Sequence, residues 1–449
     1  MTTKSYPSQP AVPSQPSKYL RDVVRRNRQG KTAGTYAVCS AHPAVLDASI
    51  RQSLADGMVL HVESTSSQVN QFGGYTGSTP AMFAAEIRGA AEKLGLPASR
   101  VLLGSDHMGP YYWRKEPAAT AMANARELTA QCVLAGYQKF HLDASMACGG
   151  DPTVLPVATI AERTAELCKV AEESFAGLPK GSPRPLYVIG TEVPVPGGEV
   201  AEGEAPLPTT LKDLNESLEA FKAAFVAHGL ESAWENVIGM VVQPGVEFGD
   251  TSIFEYDPKK AQHLVKGLPA SPELIFEAHS TDYQTPLSLA RLVNDHFAIL
   301  KVGPWLTFAY REAVFALEMI EHEMPEHKNG ASRVREVLEA EMLRNPANWK
   351  PYYHGDEAQQ KFARAYSLSD RCRYYWPQPP IQQEVDQLLH NLSSPLPLAL
   401  LSQYLPDEYV AVRDGTIENS ATAIIRHHIQ SVLKVYAAAC EAKARQECT

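Results

Sequence analysis

The sequence of 449 residues predicts an α/β fold, a (β/α)8 TIM barrel with a C-terminal helical extension. Three observations predict it. Short apolar runs of β-forming residues alternate with amphipathic helical stretches. This beat recurs eight times between Gly34 and about Glu323, and all eight runs end in a polar or ionisable group. Strands apolar on both faces, each followed by a helix, form a parallel sheet covered by helices. Eight such units in about 290 residues suit closure into a barrel. An open doubly wound sheet would want a glycine-rich phosphate turn, and neither GxGxxG nor GxxxxGK[ST] occurs.

In order, the strand runs are GTYAVCSAHP, GMVLHVEST, VLLGSDH, YQKFHLDAS, PLYVIGTEVP, NVIGMVVQPG, ELIFEAHSTD and FAILKVGP. Helices are expected over Ala44–Ala55, from Thr79-Pro80, over Ala118–Ala135, Thr159–Phe175, along the stripe Leu211, Leu214, Leu218, Phe221, Phe225, and then over Pro258–Lys266, Pro286–Asp295 and from Leu306. Thr79 is a good cap with Pro80 just inside. Phe83, Ile87, Ala90 and Leu94 then recur at helical spacing as one buried stripe. Residues 1–20, rich in Pro, Ser and Gln, read as a flexible N-terminal tail, residues 21–323 as the barrel, and residues 324–449 as the helical extension.

A formal net charge of -10 speaks against a nucleic-acid binder and against a polybasic membrane-surface protein. The seven cysteines are scattered without a CxxC pair, as expected of reduced thiols in the cytoplasm. No run approaches the ~18 apolar residues of a membrane span.

Barrel chemistry sits at the C-terminal ends of the strands. Read in order, those ends carry Ser40 and His42, Glu63, Asp106 and His107, Asp143 and Ser145, Glu192, Gln243, Glu277 with His279, and Lys301. Burying several acids together without a cation or substrate is expensive. His, Glu, Asp and Gln without paired cysteines suggest one catalytic divalent ion of Zn²⁺ type, with Asp106 shuttling a proton nearby. The loops holding Gly197-Gly198 and Gly245, and the stretch QFGGYTGSTP, offer backbone N–H groups to an anion such as a sugar phosphate. His141 shares a face with Asp143 and reads equally as a satisfied core histidine or a supporting one. His427-His428 lies among apolar neighbours and reads as structural. In the extension, Arg371, Arg373, Tyr374, Tyr375 and Trp376 are either a packing anchor, a subunit interface or a reach toward a substrate phosphate.

The stretches HVESTSSQVNQFGGYTG, LLGSDHMGP, FHLDASM, IGTEVPVPGGE, VVQPGVEFGD, FEAHSTDYQ, LKVGPWLTFAYREA and DRCRYYW resemble the accessory-subunit family of D-tagatose-1,6-bisphosphate aldolase (GatZ/KbaZ-like), whose members also carry the label tagatose-6-phosphate kinase. That family is similar in turn to the zinc-dependent class II aldolases. The resemblance implies Asp106 as proton donor, His107 as metal ligand, and Glu192 with Gly197-Gly198 as the acid and glycine pair of a catalytic loop. It places Gln243 and Glu277 where aldolases hold two further metal histidines, with His279 two positions on. Gly303 stands where aldolases hold a substrate-binding asparagine. Glutamine is a poorer zinc ligand than imidazole.

The set expected at the site is therefore Asp106, Glu192 and Glu277 as catalytic groups and His107, Gln243 and His279 as metal ligands. Ser40, Glu63, Asp143, Ser145, Gly197, Gly198, Gly245, Ser280 and Lys301 are expected around the substrate. The resemblance implies a sugar or sugar-phosphate substrate, a catalytic aldolase subunit as partner and a homo- or hetero-oligomer. A metal-dependent ketose 4-epimerase, working by retro-aldol cleavage and re-addition, is the alternative. A tagatose-6-phosphate kinase is disfavoured, because the chain has no phosphate loop.

Overall fold

The computed structural model describes residues 16–190, 205–268, 271–325 and 330–441. Eight parallel strands close into a barrel: β1 (Thr35–Val38), β2 (Leu60–Thr65), β3 (Val101–Met108), β4 (Lys139–Leu142), β5 (Leu186–Gly190), β6 (Val237–Val241), β7 (Ile275–Ala278) and β8 (Phe297–Val302). Neighbours in sequence pair throughout, and β8 returns to β1 through Ala37 opposite Lys301. The helices expected after the strands are present, and Thr79 caps Pro80–Lys93 by accepting the Met82 N–H. In Leu211–Ala227 the buried stripe holds at Leu214, Phe221 and Phe225, while Leu211 itself is exposed.

Side chains alternate across each strand, so inward positions climb the barrel in steps of two. Leu102, Val188, Ile275 and Ile299 form an apolar floor together with Leu20 and Val24. Those last two come from the helix Pro16–Arg28, which plugs the N-terminal end of the barrel. Residues 16–20, assigned to the tail from composition, are the first turn of that plug, and Leu20 is fully buried. Two positions up from the floor the inward side chains become charged.

The eighth place in the outer ring is filled from far along the chain. Ala421–Cys440, not the helix that follows β8, packs between Pro286–Asn294 and Pro43–Asp56 and touches β1. Tyr436 reaches from it to donate its O–H to the Thr281 carbonyl at 2.7 Å. Pro304–Glu323 follows β8 and packs against this late helix. Its sequence expectation missed the exchange because a helix period fixes which face is buried, not which neighbour buries it.

The late helix is tied down by buried charge. His427 and His428 both bond the buried carboxylate of Glu408, at 3.0 and 3.1 Å, and His428 also reaches Glu312 at 3.3 Å. Burial opposes ionisation of both partners, but the pairing wins: Glu408 is held down at about 2 and His428 up at about 9. The His428 contribution is complete below its ordinary 6.5 and is lost as pH rises through about 9. The Glu408 contribution is complete above its ordinary 4.5 and is lost as pH falls through about 2. Urea unfolding of Glu408→Gln against the parent chain is therefore expected to show its largest deficit, about 2 kcal/mol, between those two ordinary values, shrinking toward pH 10. A deficit independent of pH would show that packing, not charge, holds the helix.

Candidate active site

The stretch VLLGSDHMGP is β3 and its exit, and its two inner glycines are steric requirements. A Cβ on Gly104 would stand 2.9 Å from Glu63 Cγ, and one on Gly109 would stand 1.7 Å from the Asp143 carbonyl oxygen. Between them the strand delivers Asp106 and His107 to the mouth. His107 sits in the left-handed region at φ 46, which a non-glycine residue adopts at a cost of about 1–3 kcal/mol. The conformation is held from outside: the His107 N–H donates to His141 Nδ1 at 3.1 Å, and His141 Nε2 donates to the Gly190 carbonyl at 3.0 Å. Both nitrogens of His141 are thus occupied, and this fully buried side chain fixes the turn.

His107, His141 and His279 form a triangle, with ring centres 4.7 to 4.9 Å apart. One ligand atom from each, together with a carboxylate oxygen of Asp106, lies within 4.8 Å of all the others. His107 Nδ1 donates to Asp143 Oδ2 at 2.8 Å, and His279 Nε2 lies 2.9 Å from Glu277 Oε1. A carboxylate behind the far nitrogen is the arrangement that orients metal-ligating histidines. Asp143 is itself held by the N–H and hydroxyl of Ser145. Burial, with the neighbouring imidazoles adding to it, pushes His279 down to about 3, so it presents a neutral ring. This N/O donor set fits a divalent ion of zinc type. His107 and His279 are the residues that would hold it, with the Asp106 carboxylate beside them and His141 behind.

Beneath this group lies a layer of buried charge. Lys139 Nζ sits 2.8 Å from Glu63 Oε1 and 2.5 Å from Glu277 Oε2, and His61 Nε2 lies 2.7 Å from Glu63 Oε1. Lys301 pairs with Glu63, lies 2.7 Å from Asp106 and 3.8 Å from Glu277. Burial disfavours the ionised form of Asp106, yet Lys301 and His107 hold its carboxyl well below the usual range. The same acids hold the Lys301 ammonium protonated despite its burial.

A cavity of about 150 Å³ opens above Asp106, His107 and His279 and is walled by Asp143, Ser280, Lys301, Gln68, Tyr75, Tyr111, Asp282, Arg373 and Tyr374 among others. Ser280, at φ 50, lies in it, as do Asp143 and Lys301. Glu63 and Glu277 do not line it; they lie in the charged layer beneath, where Glu277 contacts His279 and both lysines. Ser40 lies in an adjoining chamber, its Oγ accepting the His42 N–H at 3.3 Å. Gln243 is turned into its own loop, its Oε1 accepting the N–H groups of Gly245 and Val246. Gly245 serves that turn at φ +93. Glu192, Gly197 and Gly198 lie outside the described residues. Of the extension's cluster, Tyr375 and Trp376 are buried anchors, whereas Arg373 and Tyr374 reach the mouth.

His61 and Lys139 were not singled out from sequence. Their signal was available: His61 precedes Glu63 by two positions, and Lys139 precedes His141 by two, so each shares an inward face with a residue already marked. If His107 is a ligand, Asp143→Asn should lower zinc affinity about 10- to 100-fold in competition with a chromophoric chelator. An unchanged affinity would remove His107 from the ligand set.

The model of a family described as D-tagatose-1,6-bisphosphate aldolase subunit GatZ/KbaZ-like matches residues 20–441. Among solved structures, a probable tagatose 6 phosphate kinase from Sinorhizobium meliloti 1021 is 41% identical, with a TM-score of 0.82 over 91% of this chain and 100% of that one. The YdjI aldolase from Escherichia coli K12 aligns at 10% identity and TM-score 0.42 over 84% of this chain and 97% of that one. The fructose-bisphosphate aldolase from Campylobacter jejuni aligns at 12% identity and TM-score 0.44 over 89% and 94%.

Proposed function

We propose that this chain, which belongs to the D-tagatose-1,6-bisphosphate aldolase subunit GatZ/KbaZ-like family, carries a metal-dependent aldol centre of its own for a phosphorylated ketose. The observation that carries the reading is the convergence of Asp106, His107, His141 and His279, with carboxylates behind His107 and His279. A subunit that only supported a partner would have no use for this arrangement, and burying it is costly.

When bound, the ion would polarise the ketose carbonyl and favour the enediolate. The chain's own groups supply the rest. Asp106, kept ionised by Lys301, accepts the proton of the C4 hydroxyl as the C3–C4 bond breaks. The bonding pair passes to C3 and on to the carbonyl oxygen, leaving an aldehyde and an enediolate. The Asp106 carboxylic acid then returns its proton as the bond re-forms. Re-addition to the other face of the aldehyde inverts C4, which is the 4-epimerase reaction. Tyr75, Tyr111 and Tyr374 wall the mouth and favour retention of the aldehyde fragment over its release.

A second reading has support in the family description and in Gln243, whose carbonyl oxygen is committed to its own loop: the chain supports a catalytic aldolase partner. The kinase named for the Sinorhizobium meliloti protein has no phosphate loop to support it in this chain.

The test uses the purified chain alone, loaded with Zn²⁺, with D-tagatose 1,6-bisphosphate, D-tagatose 6-phosphate and free D-tagatose offered separately and followed by NMR. Expected is a C4 epimer or triose phosphate from a phosphorylated ketose, reduced at least about 100-fold by Asp106→Asn and by His107→Ala. No product from the chain alone, with stimulation of an added catalytic aldolase subunit, would replace this reading with the second.

A further inference from the structure

The mouth holds two cations of different standing. Lys301 is neutralised by Asp106, Glu63 and Glu277. Arg373 lines the same cavity from the segment DRCRYYW and makes no ion pair among the described residues. Its Nη1 donates to the carbonyls of Ser369 and Asp370, the latter at 3.0 Å, and its Nη2 to the Tyr374 hydroxyl at 3.1 Å. Those partners fix the guanidinium without cancelling its charge. Among the described residues no carboxylate lies within ion-pairing distance of this guanidinium, which sits 4.6 Å over the Tyr374 ring and feels Asp370 and Asp282 only from farther off, so an anion can complete it. Arg311 and Arg371 also lack an ion-pair partner among the described residues, but neither lines a cavity of the mouth.

Arg373 also lines the adjoining chamber of about 190 Å³, which shares Cys39, Gln68, Tyr75 and Gly303 with the first. The walls of this second chamber carry neutral hydrogen-bonding groups from Ser40, Thr76, Ser78 and Gln382, and Glu86 is its one acid among the described residues. The first chamber is instead crowded with Asp106, Asp143 and Asp282. The first chamber sets Lys301 against these acids, the second holds Glu86 away from any such group, and Arg373 lines both. Its placement is fixed by the fold: Asp370 begins the turn in the left-handed region at φ 46, bonded to Thr307, and Tyr375 and Trp376 are buried just after it.

We propose that Arg373, with the Tyr374 hydroxyl beside it, is the specificity-determining residue that binds the phosphate of the substrate at the junction of the two chambers, while the carbon skeleton lies in the first. That the phosphate is carried by a ketose rests on the function proposed above; that Arg373 binds a phosphate does not.

The two parts separate in one set of measurements on the full-length chain. Inorganic phosphate, titrated by calorimetry and by ³¹P line broadening, is expected to bind the parent chain and to lose at least about 10-fold in affinity in Arg373→Met. Arg373→Lys should fall between them, because an ammonium keeps the charge and loses the planar fork. Melting temperatures identify a variant that fails to fold, and the lysine variant then carries the comparison. With D-tagatose 6-phosphate as substrate, Arg373→Met should raise KM at least about 10-fold with kcat changed less than about 3-fold, and Arg373→Lys should raise it less. Equal phosphate binding by the parent and both variants, or none by the parent, would overturn the assignment. Phosphate binding that depends on Arg373, with no turnover of any ketose, would keep it and sink the proposed reaction instead.

Discussion

The barrel depends on an ion layer at mid-height: Lys139 and Lys301 between the carboxylates of Glu63, Glu277 and Asp106. Side chains of this kind removed from water are tolerated only when each charge meets an opposite one in good geometry. Here the strands provide that geometry. Glu63 stands opposite Gly104 in register, and Gly104 opposite Lys139, so the missing side chain at Gly104 is the space through which Glu63 and Lys139 meet. Removing one member would leave a buried charge without its partner, so the layer persists or fails together. It also separates the apolar floor from the mouth and hands specific states upward: Asp106 ionised, and His279 held by Glu277.

Much of this was legible in the sequence because the barrel repeats one rule. A run that ends in a polar group at the same point of each beat places those groups on one rim, and Asp106, His107, Asp143, His279 and Lys301 do meet there. What the rim reading could not supply was depth. Glu63 and Glu277 occupy the step below, and only a count of two back from each rim residue would have separated floor from mouth and found His61 and Lys139. The extension was harder still. Nothing in the periodicity of Ala421–Cys440 says that it completes the outer ring beside Pro43–Asp56, since that contact is fixed by tertiary packing over the whole length of the barrel.

The extension does more than complete the ring. Tyr375 and Trp376 are buried, and Trp376 packs edge-on to Tyr310 of Pro304–Glu323, the helix that leaves β8. Tyr374 meets Tyr75 from the loop after β2 in the same way, at 5.1 Å. The aromatic residues that look like a packing anchor and the arginine that looks like a ligand group are therefore one device. The first fixes the second: the buried Tyr375 and Trp376 anchor the segment from which Arg373 and Tyr374 line the mouth.

A division of charge follows from this construction. Neutral His279 with ionised Asp106 and Asp143 makes the deeper part of the mouth a place that can take a cation. The wall supplied by the extension carries the guanidinium of Arg373, packed on Tyr374, which in turn meets Tyr75. A ligand that bonds both regions must carry oxygen donors for a metal at one end and negative charge at the other. A phosphorylated open-chain ketose meets both demands, whereas an unphosphorylated sugar meets only the first. On the proposed function the late segments bear on substrate choice and the strands on the chemistry, and the last helix joins the two by packing on β1 and on the helix that follows β8.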